Sequence, residues 1–342
     1  MLQVRNDTPF VVVLLLFPDE QGIETVYVTV KATFDMRPGG LEVAAVQRPL
    51  FVMDEYWGSP EHSSLKYASE AHLMRPGTDV VVIGEAHAPR GCPTDSCPVS
   101  VQVGSMRKTL IVSGDRIWRG GTVSPRISPP EPFLKLPLVY ERAFGGKHET
   151  RAGNWVYEPR NPVGTGFRGK RSASEMLEMR LPNLEDPAER ITSITDSPAP
   201  VGFGYTASSW DPRRTFAGTY DQAWQTHRAP YLPLDFKPAF FEAASPGLHS
   251  PRPLTGGEPV ELVNLSPSGA ARFRLPRCEL RAAVRVASSE EHPPLLLDRV
   301  LIEPGASRLC MLWRGAVPCD KRVLKVREAH VHMHSLELGG PA

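Results

Sequence analysis

His330, His332 and His334 come nearest, of all the residues in this chain, to metal-ligand spacing. On a strand, side chains alternate between faces, so two-residue steps set three imidazoles on one face within reach of a single ion. The competing reading is the exposed face of a final strand whose other face is Val331 and Met333. No carboxylate or Cys at a defined spacing completes a ligand set, so a plain strand face is expected and no metal. Cys92 and Cys97, with His87 nearby, form a second candidate. Four residues separate the two cysteines, at the loose end of zinc-ligand spacing, and free thiols are expected there and at Cys278, Cys310 and Cys319.

Enzyme signatures are missing. The chain has no G-x-S-x-G nucleophile elbow, no G-x-x-x-x-G-K-[ST] phosphate loop and no H-E-x-x-H metal motif. Gly164-Thr165-Gly166 is half of a dinucleotide fingerprint, with no strand pattern before it and no helix pattern after it, so no cofactor is expected. The paired carboxylates Glu185-Asp186 and Glu290-Glu291 stand in polar, turn-rich stretches and read as solvated charge.

A different chemistry is spread through the middle of the chain. Trp155, Tyr157, Trp210, Tyr220, Trp224 and Tyr231 are irregularly spaced among Pro, Gly and Arg, so no single helix face or strand accounts for them. They either plug small cores beneath long loops or form a contact surface, and aromatics with Arg dominate interface hot spots. With Arg213 and Asp221 they make up the expected partner-binding set.

The elements that must position these residues follow from periodicity. Val26, Val28, Val30, Ala32 and Phe34 alternate with Thr25, Tyr27, Thr29, Lys31 and Thr33, which predicts a strand with one buried face. Phe10 to Phe17 precedes it across a turn with Pro18, Asp19 and Gly22, and an antiparallel meander is expected. Val80 to Ile83, Val99 to Val103 and Thr109 to Val112 continue the pattern. Val260 to Val263, Leu280 to Val286, Leu295 to Ile302, Arg308 to Trp313 and Arg322 to Val326 repeat it, with Glu303-Pro304-Gly305-Ala306 as a hairpin connection.

Between these regions, residues 121–260 hold 19 of the 35 prolines. Proline fixes φ and removes a donor, so this stretch should be loops with a few short elements. Ser172 with Glu175 is a capping box, and Asp221 and Asp235 each precede a potential short helix. The expected fold is mainly β: two antiparallel, sandwich-like lobes, 1–120 and 260–342, joined by a Pro/Gly-rich middle, 121–259, within one body spanning 1–342.

Composition narrows the partners. Lys and Arg number 39 against 38 Asp and Glu, without a run of like charge, so nucleic acid is not expected. The longest apolar run, Phe10 to Phe17, is far shorter than the roughly 20 residues of a membrane helix, and no membrane partner is expected. Five cysteines are too few for a disulfide scaffold and fit the cytoplasm.

The ordered motifs Pro76-Gly77-Thr78-Asp79-Val80, Gly84-Glu85-Ala86-His87-Ala88-Pro89, Gly114-Asp115-Arg116-Ile117-Trp118 and Pro137 to Gly146 continue through Asn161-Pro162-Val163-Gly164, Leu181-Pro182-Asn183-Leu184-Glu185 and Pro200 to Gly204. Trp210-Asp211-Pro212-Arg213-Arg214, Gly218-Thr219-Tyr220-Asp221 and Leu232 to Phe236 complete the series. Nearly the whole chain thus resembles the family called domain of unknown function 2169, found with bacterial type VI secretion systems. Arg75, where that pattern has Lys, and Lys237, where it has an acidic residue, depart from it. The resemblance implies a non-catalytic cytoplasmic adaptor or chaperone. Its partners would be a secreted toxin effector, a PAAR-type tip protein, or both, with contact to the VgrG spike possible. The alternatives are a metal-dependent or carbohydrate-active β-sandwich enzyme, for which the histidine face is the one positive sign, and a structural component of the spike.

Overall fold

The computed structural model describes residues 3–121 and 125–340. The chain is mainly β, with short helices only, as expected. Its principal sheet has seven strands in the order His249–Ser250, Thr78–Val82, Leu296–Glu303, Arg308–Pro318, Glu24–Arg37, Val11–Pro18, with Gly40–Val43 also paired to Glu24–Arg37. A second sheet runs Leu184–Glu185, Met106–Ser113, Ser96–Val103, Pro259–Val263, Ala270–Arg274. A third joins Gln3–Asp7, Val326–Glu337, Arg277–Val286 and Ser289–Glu291.

The two ends, expected in separate lobes, are interleaved. Glu24–Arg37 pairs antiparallel with Arg308–Pro318, and Thr78–Val82 pairs parallel with Leu296–Glu303. Ser96–Val103 pairs with Pro259–Val263, and Gln3–Asp7 lies parallel to Val326–Glu337. All three sheets therefore draw strands from both ends. The Pro-rich middle forms loops, short helices and two-stranded ribbons, contributing only Leu184–Glu185 to the second sheet and His249–Ser250 to the edge of the first.

Local signals mostly act where they stand. Ser96–Val103 and Met106–Ser113 form a hairpin across Gly104, and Leu296–Glu303 turns into Arg308–Pro318 through Pro304–Ala306. Ser172 and Glu175 form both bonds of a capping box on helix Ala173–Met176. Asp221 caps helix Gln222–His227 by accepting the Trp224 amide at 2.8 Å. Asp235 caps no helix. The short turn Pro238–Phe241 starts after Lys237, and Asp235 instead accepts from the Thr219 amide and hydroxyl at 2.9 and 2.8 Å.

Glu24–Arg37 departs most from its pattern, because both faces are buried from Thr25 to Phe34. The apolar face joins the main core with Val80, Val300 and Met311. The opposite face, with Thr29, Lys31 and Thr33, is sealed by the segment 47–75. Gln47 bonds both backbone groups of Thr33, and Lys31 Nζ reaches Glu70 at 2.7 Å and the Pro49 carbonyl at 3.0 Å. Buried charge needs a partner. The polar members of the alternation are therefore the sockets of an ionic layer and not a wet surface.

Candidate functional site

Apart from Trp57, which lies under Lys66, the exposed aromatics gather on loop 219–235 and on one hairpin. Tyr220 meets the Trp224 indole edge to face at 4.7 Å. Trp224 Nε1 donates to the Tyr231 carbonyl at 2.8 Å, and Arg228 binds the Leu232 carbonyl at 2.8 Å while its guanidinium covers the Tyr231 ring. Tyr231 packs on Gly22, where φ is +88° and a Cβ would stand 3.1 Å from the ring, so this turn needs glycine. The result is a preformed open groove of about 540 Å³ between Trp224, His227, Arg228, Pro233 and Leu234. Leu234 at its rim is 87% exposed.

The hairpin of Lys147–Arg151 and Asn154–Tyr157 carries Trp155 and Tyr157 two residues apart, hence on one face, each nearly half exposed. Lys147 lies 5.3 Å from the Trp155 ring centre. The short helix Arg213–Phe216 links hairpin and loop. Arg214 donates to the Tyr157 hydroxyl at 3.4 Å, and the Phe216 carbonyl accepts the Lys237 amide at 3.0 Å.

Of the expected partner-binding set, Trp155, Tyr157, Tyr220, Trp224 and Tyr231 therefore sit on or at the surface. Trp210 and Arg213 do not, and this corrects the expectation. Trp210 is 5% exposed and packs edge to face on Tyr140 at 5.4 Å. Arg213 is buried, its Nε donating to the Phe240 carbonyl at 2.9 Å and its Nη1 to the Thr206 carbonyl. Asp221 is spent on its helix cap.

Beneath the loops runs an ionic layer that the reading of the sequence missed. Arg75 bridges Asp79 at 3.0 Å and Asp298 at 3.3 Å. Arg314 lies 3.6 Å from Asp298 and donates to the Glu70 and His72 carbonyls at 2.7 and 3.0 Å. Asp79 also accepts the Ala243 amide at 2.8 Å and faces His249 Nδ1 at 3.0 Å. Burial raises the carboxyl pKa of Asp298, but the guanidiniums of Arg75 and Arg314 outweigh it and hold the group well below the carboxylate range. Gly77 lets the chain pass, since a Cβ there would stand 2.1 Å from the Ser250 carbonyl. The signal was a charge inside four of the strands of the principal sheet, namely Lys31, Asp79, Asp298, Arg299 and Arg314.

His72 belongs to this layer as a neutral ring. Its Nδ1 lies 2.7 Å from the Leu73 carbonyl, and its Nε2 lies 3.3 Å from Arg314 Nη2 and 3.4 Å from Asp298 Oδ2, so in the neutral ring Nδ1 carries the proton and Nε2 accepts from Arg314. Burial, then the charge on Arg314, pushes its pKa down to about 4. An unfolded imidazole titrates near 6.5, so between these values the unfolded state binds the proton that the folded state refuses. Stability is thus full above pH 6.5 and falls as pH drops from 6.5 to 4, by about 3 kcal/mol from this residue. Denaturant unfolding of His72→Gln should show a total fall in stability from pH 6.5 to 4 that is smaller by about 3 kcal/mol than in wild type, with a correspondingly shallower slope. Equal slopes would refute the neutral buried ring.

The other motifs are structural. Glu185, expected as solvated charge, is buried, pairing with Arg116 at 2.7 Å and accepting the Ile191 amide at 3.0 Å. Asn161 is fully buried and donates to the Tyr140 and Phe144 carbonyls. Lys108 Nζ and Tyr140 hydroxyl converge on Ser245 Oγ at 2.7 and 2.8 Å. Burial pushes the Lys108 pKa down to about 8, so at neutral pH the amine is a donor and clamps the Ser245 turn. Val326–Glu337 carries the three histidines. His330 bonds Asp7 at 2.7 Å, His332 lies ring to ring 5.4 Å away, and His334 is mostly exposed. Among the described residues no group of three His, Cys, Asp or Glu is placed to hold a metal ion, and no helix is long and apolar enough to cross a membrane. All five cysteines are free, Cys97 buried and Cys92 exposed.

Sheets and loops together define a mainly β body with a buried ionic layer and an exposed aromatic surface braced by Pro-rich loops. The chain belongs to the family described as uncharacterized protein conserved in bacteria (DUF2169), whose model matches residues 21–314. Neither a curated protein nor a solved structure matches it.

Proposed function

We propose that this protein is a non-catalytic cytoplasmic adaptor of a type VI secretion system, which holds a toxic effector or its PAAR-type tip and delivers it to the VgrG spike. The observation carrying this reading is the preformed groove of loop 219–235, where Tyr220 and Leu234 stand in solvent on a frame of internal hydrogen bonds. A frame ordered before docking lowers the entropy lost on binding, which suits a partner that must be held and later released. Large exposed apolar side chains beside an arginine are hot-spot chemistry. The near-neutral charge, +1 overall, gives no reason to prefer nucleic acid.

The test is co-expression of the tagged chain with the products of its neighbouring genes. An effector or PAAR protein should co-purify with wild type, be lost with Leu234→Asp, and leave the adaptor behind in the cell when the needle is secreted. Recovery of this chain in the secreted needle would make it a spike component, and no complex with any neighbour would overturn the proposal.

A further inference from the structure

Among the described residues, two cations of the ionic layer have no carboxylate within ion-pair distance. Lys31 is paired with Glu70, Arg75 with Asp79 and Asp298, and Arg314 with Asp298. Arg213 and Arg299, both buried, make no ion pair among the described residues, and both line one solvent-connected cavity of about 270 Å³ with His72, Phe240 and Phe241. The one carboxylate in the lining is Asp54, which accepts the Ser69 amide at 2.8 Å.

Arg299 shows what is missing. Tyr205 covers a face of its guanidinium, 5.1 Å from the ring centre, and Nη1 donates to the Ala68 carbonyl at 3.2 Å. Nε and Nη2 are buried and have no hydrogen-bond partner. These two nitrogens form the side edge of the guanidinium, whose parallel N–H bonds fit the two oxygens of a carboxylate. Leaving such donors unpaired costs stability, and leaving the charge unpaired costs more. The two cations differ in their field: burial is outweighed at Arg299 by Tyr205, Glu70, Asp298 and Asp79, which hold its pKa above the usual arginine range, whereas burial pushes the Arg213 pKa down to about 10 against the pull of Asp79 and Asp54. His72, neutral in this layer, adds no competing charge.

We propose that the cavity between Arg213 and Arg299 is a binding site for a carboxylate, bound side-on to Arg299. The volume lies just under the usual range for drug-sized ligands, so it admits a small acid or the end of a peptide and not a folded surface. The site is separate from the groove of loop 219–235, and its failure would leave the adaptor reading standing.

Calorimetric titration of the full chain with acetate, a tripeptide bearing a free C-terminal carboxylate, the same tripeptide amidated, and sulfate tests it. One-site binding of acetate or the free-carboxylate tripeptide is expected. Binding of acetate alone identifies a small free acid as the source, and tighter binding of the tripeptide identifies a chain terminus. Arg299→Gln should weaken binding about ten- to a hundredfold, the loss of a charge-assisted pair. Because Arg299 is buried, Met53→Glu serves as a second variant. Met53 lines the same cavity and is 69% exposed, so this change should spare the melting temperature and weaken carboxylate binding several-fold by repulsion. The proposal is overturned if wild type takes up neither carboxylate at tens of millimolar, if the amidated tripeptide binds as well as the free one, if sulfate alone binds, or if Met53→Glu binds acetate unchanged.

Discussion

Asp298→Asn should destabilise the fold by about 3–5 kcal/mol, the loss expected when one partner of a buried ion pair is removed. The substitution keeps the side-chain shape, so no cavity opens and the loss is electrostatic. It removes the anion shared by Arg75 at 3.3 Å and Arg314 at 3.6 Å, in a layer that already carries Arg213 and Arg299 without an ion-pair partner. Asp7→Asn is the matching control. Asp7 pairs with His330 at the shorter distance of 2.7 Å but is 45% exposed, and exposed pairs contribute about 0–1 kcal/mol. Denaturant unfolding of both variants decides the matter. If Asp298→Asn unfolds within about 1 kcal/mol of wild type, the ionic layer does not hold the sheet to its cover.

The second large effect separates two tryptophans of similar sequence context. Trp210→Ala should cost about 3–5 kcal/mol of folding, because its indole fills core space against Tyr140. At that cost the melting temperature falls by several degrees, and any loss of partner binding follows the folded fraction. Trp224→Ala should lower the melting temperature much less, since its short helix lies over the groove and buries little. On the proposed adaptor role, it should instead weaken binding of the effector by about 2–4 kcal/mol, roughly thirty- to several-hundredfold, because Tyr220 and the groove wall lose their support. A Trp224 variant that melts like wild type and binds the neighbouring effector unchanged would remove the groove from the interface.

Much of the fold was legible where a signal is complete within a few residues. The alternation of Val26 to Phe34, the hairpin about Gly104, the Ser172 capping box and the Asp221 cap each act through neighbours in the chain. The pairing of Glu24–Arg37 with Arg308–Pro318 was not, since nothing local selects a partner so far along the chain. The same limit separates Trp210 from Trp224. Both stand among Pro, Gly and Arg, and what buries Trp210 is Tyr140, distant in sequence. Lys31 looked like the wet side of a strand because its partner Glu70 lies in a loop without periodicity. A charge inside an apolar run, such as Lys31 or Asp298, demands a buried counter-charge, and that demand is visible before the partner is.

The interleaved sheets also bear on how the molecule is made. Glu24–Arg37 leaves the ribosome early, yet its antiparallel neighbour Arg308–Pro318 follows only after a further 270 or so residues. At about 5–20 residues per second, that strand waits some 14–54 s with one long edge unpaired and its valines uncovered. Protection during synthesis is thus a requirement that this topology imposes on the cell, and a nascent chain stalled before residue 296 should be a substrate for holdase chaperones and proteases while the released chain is not.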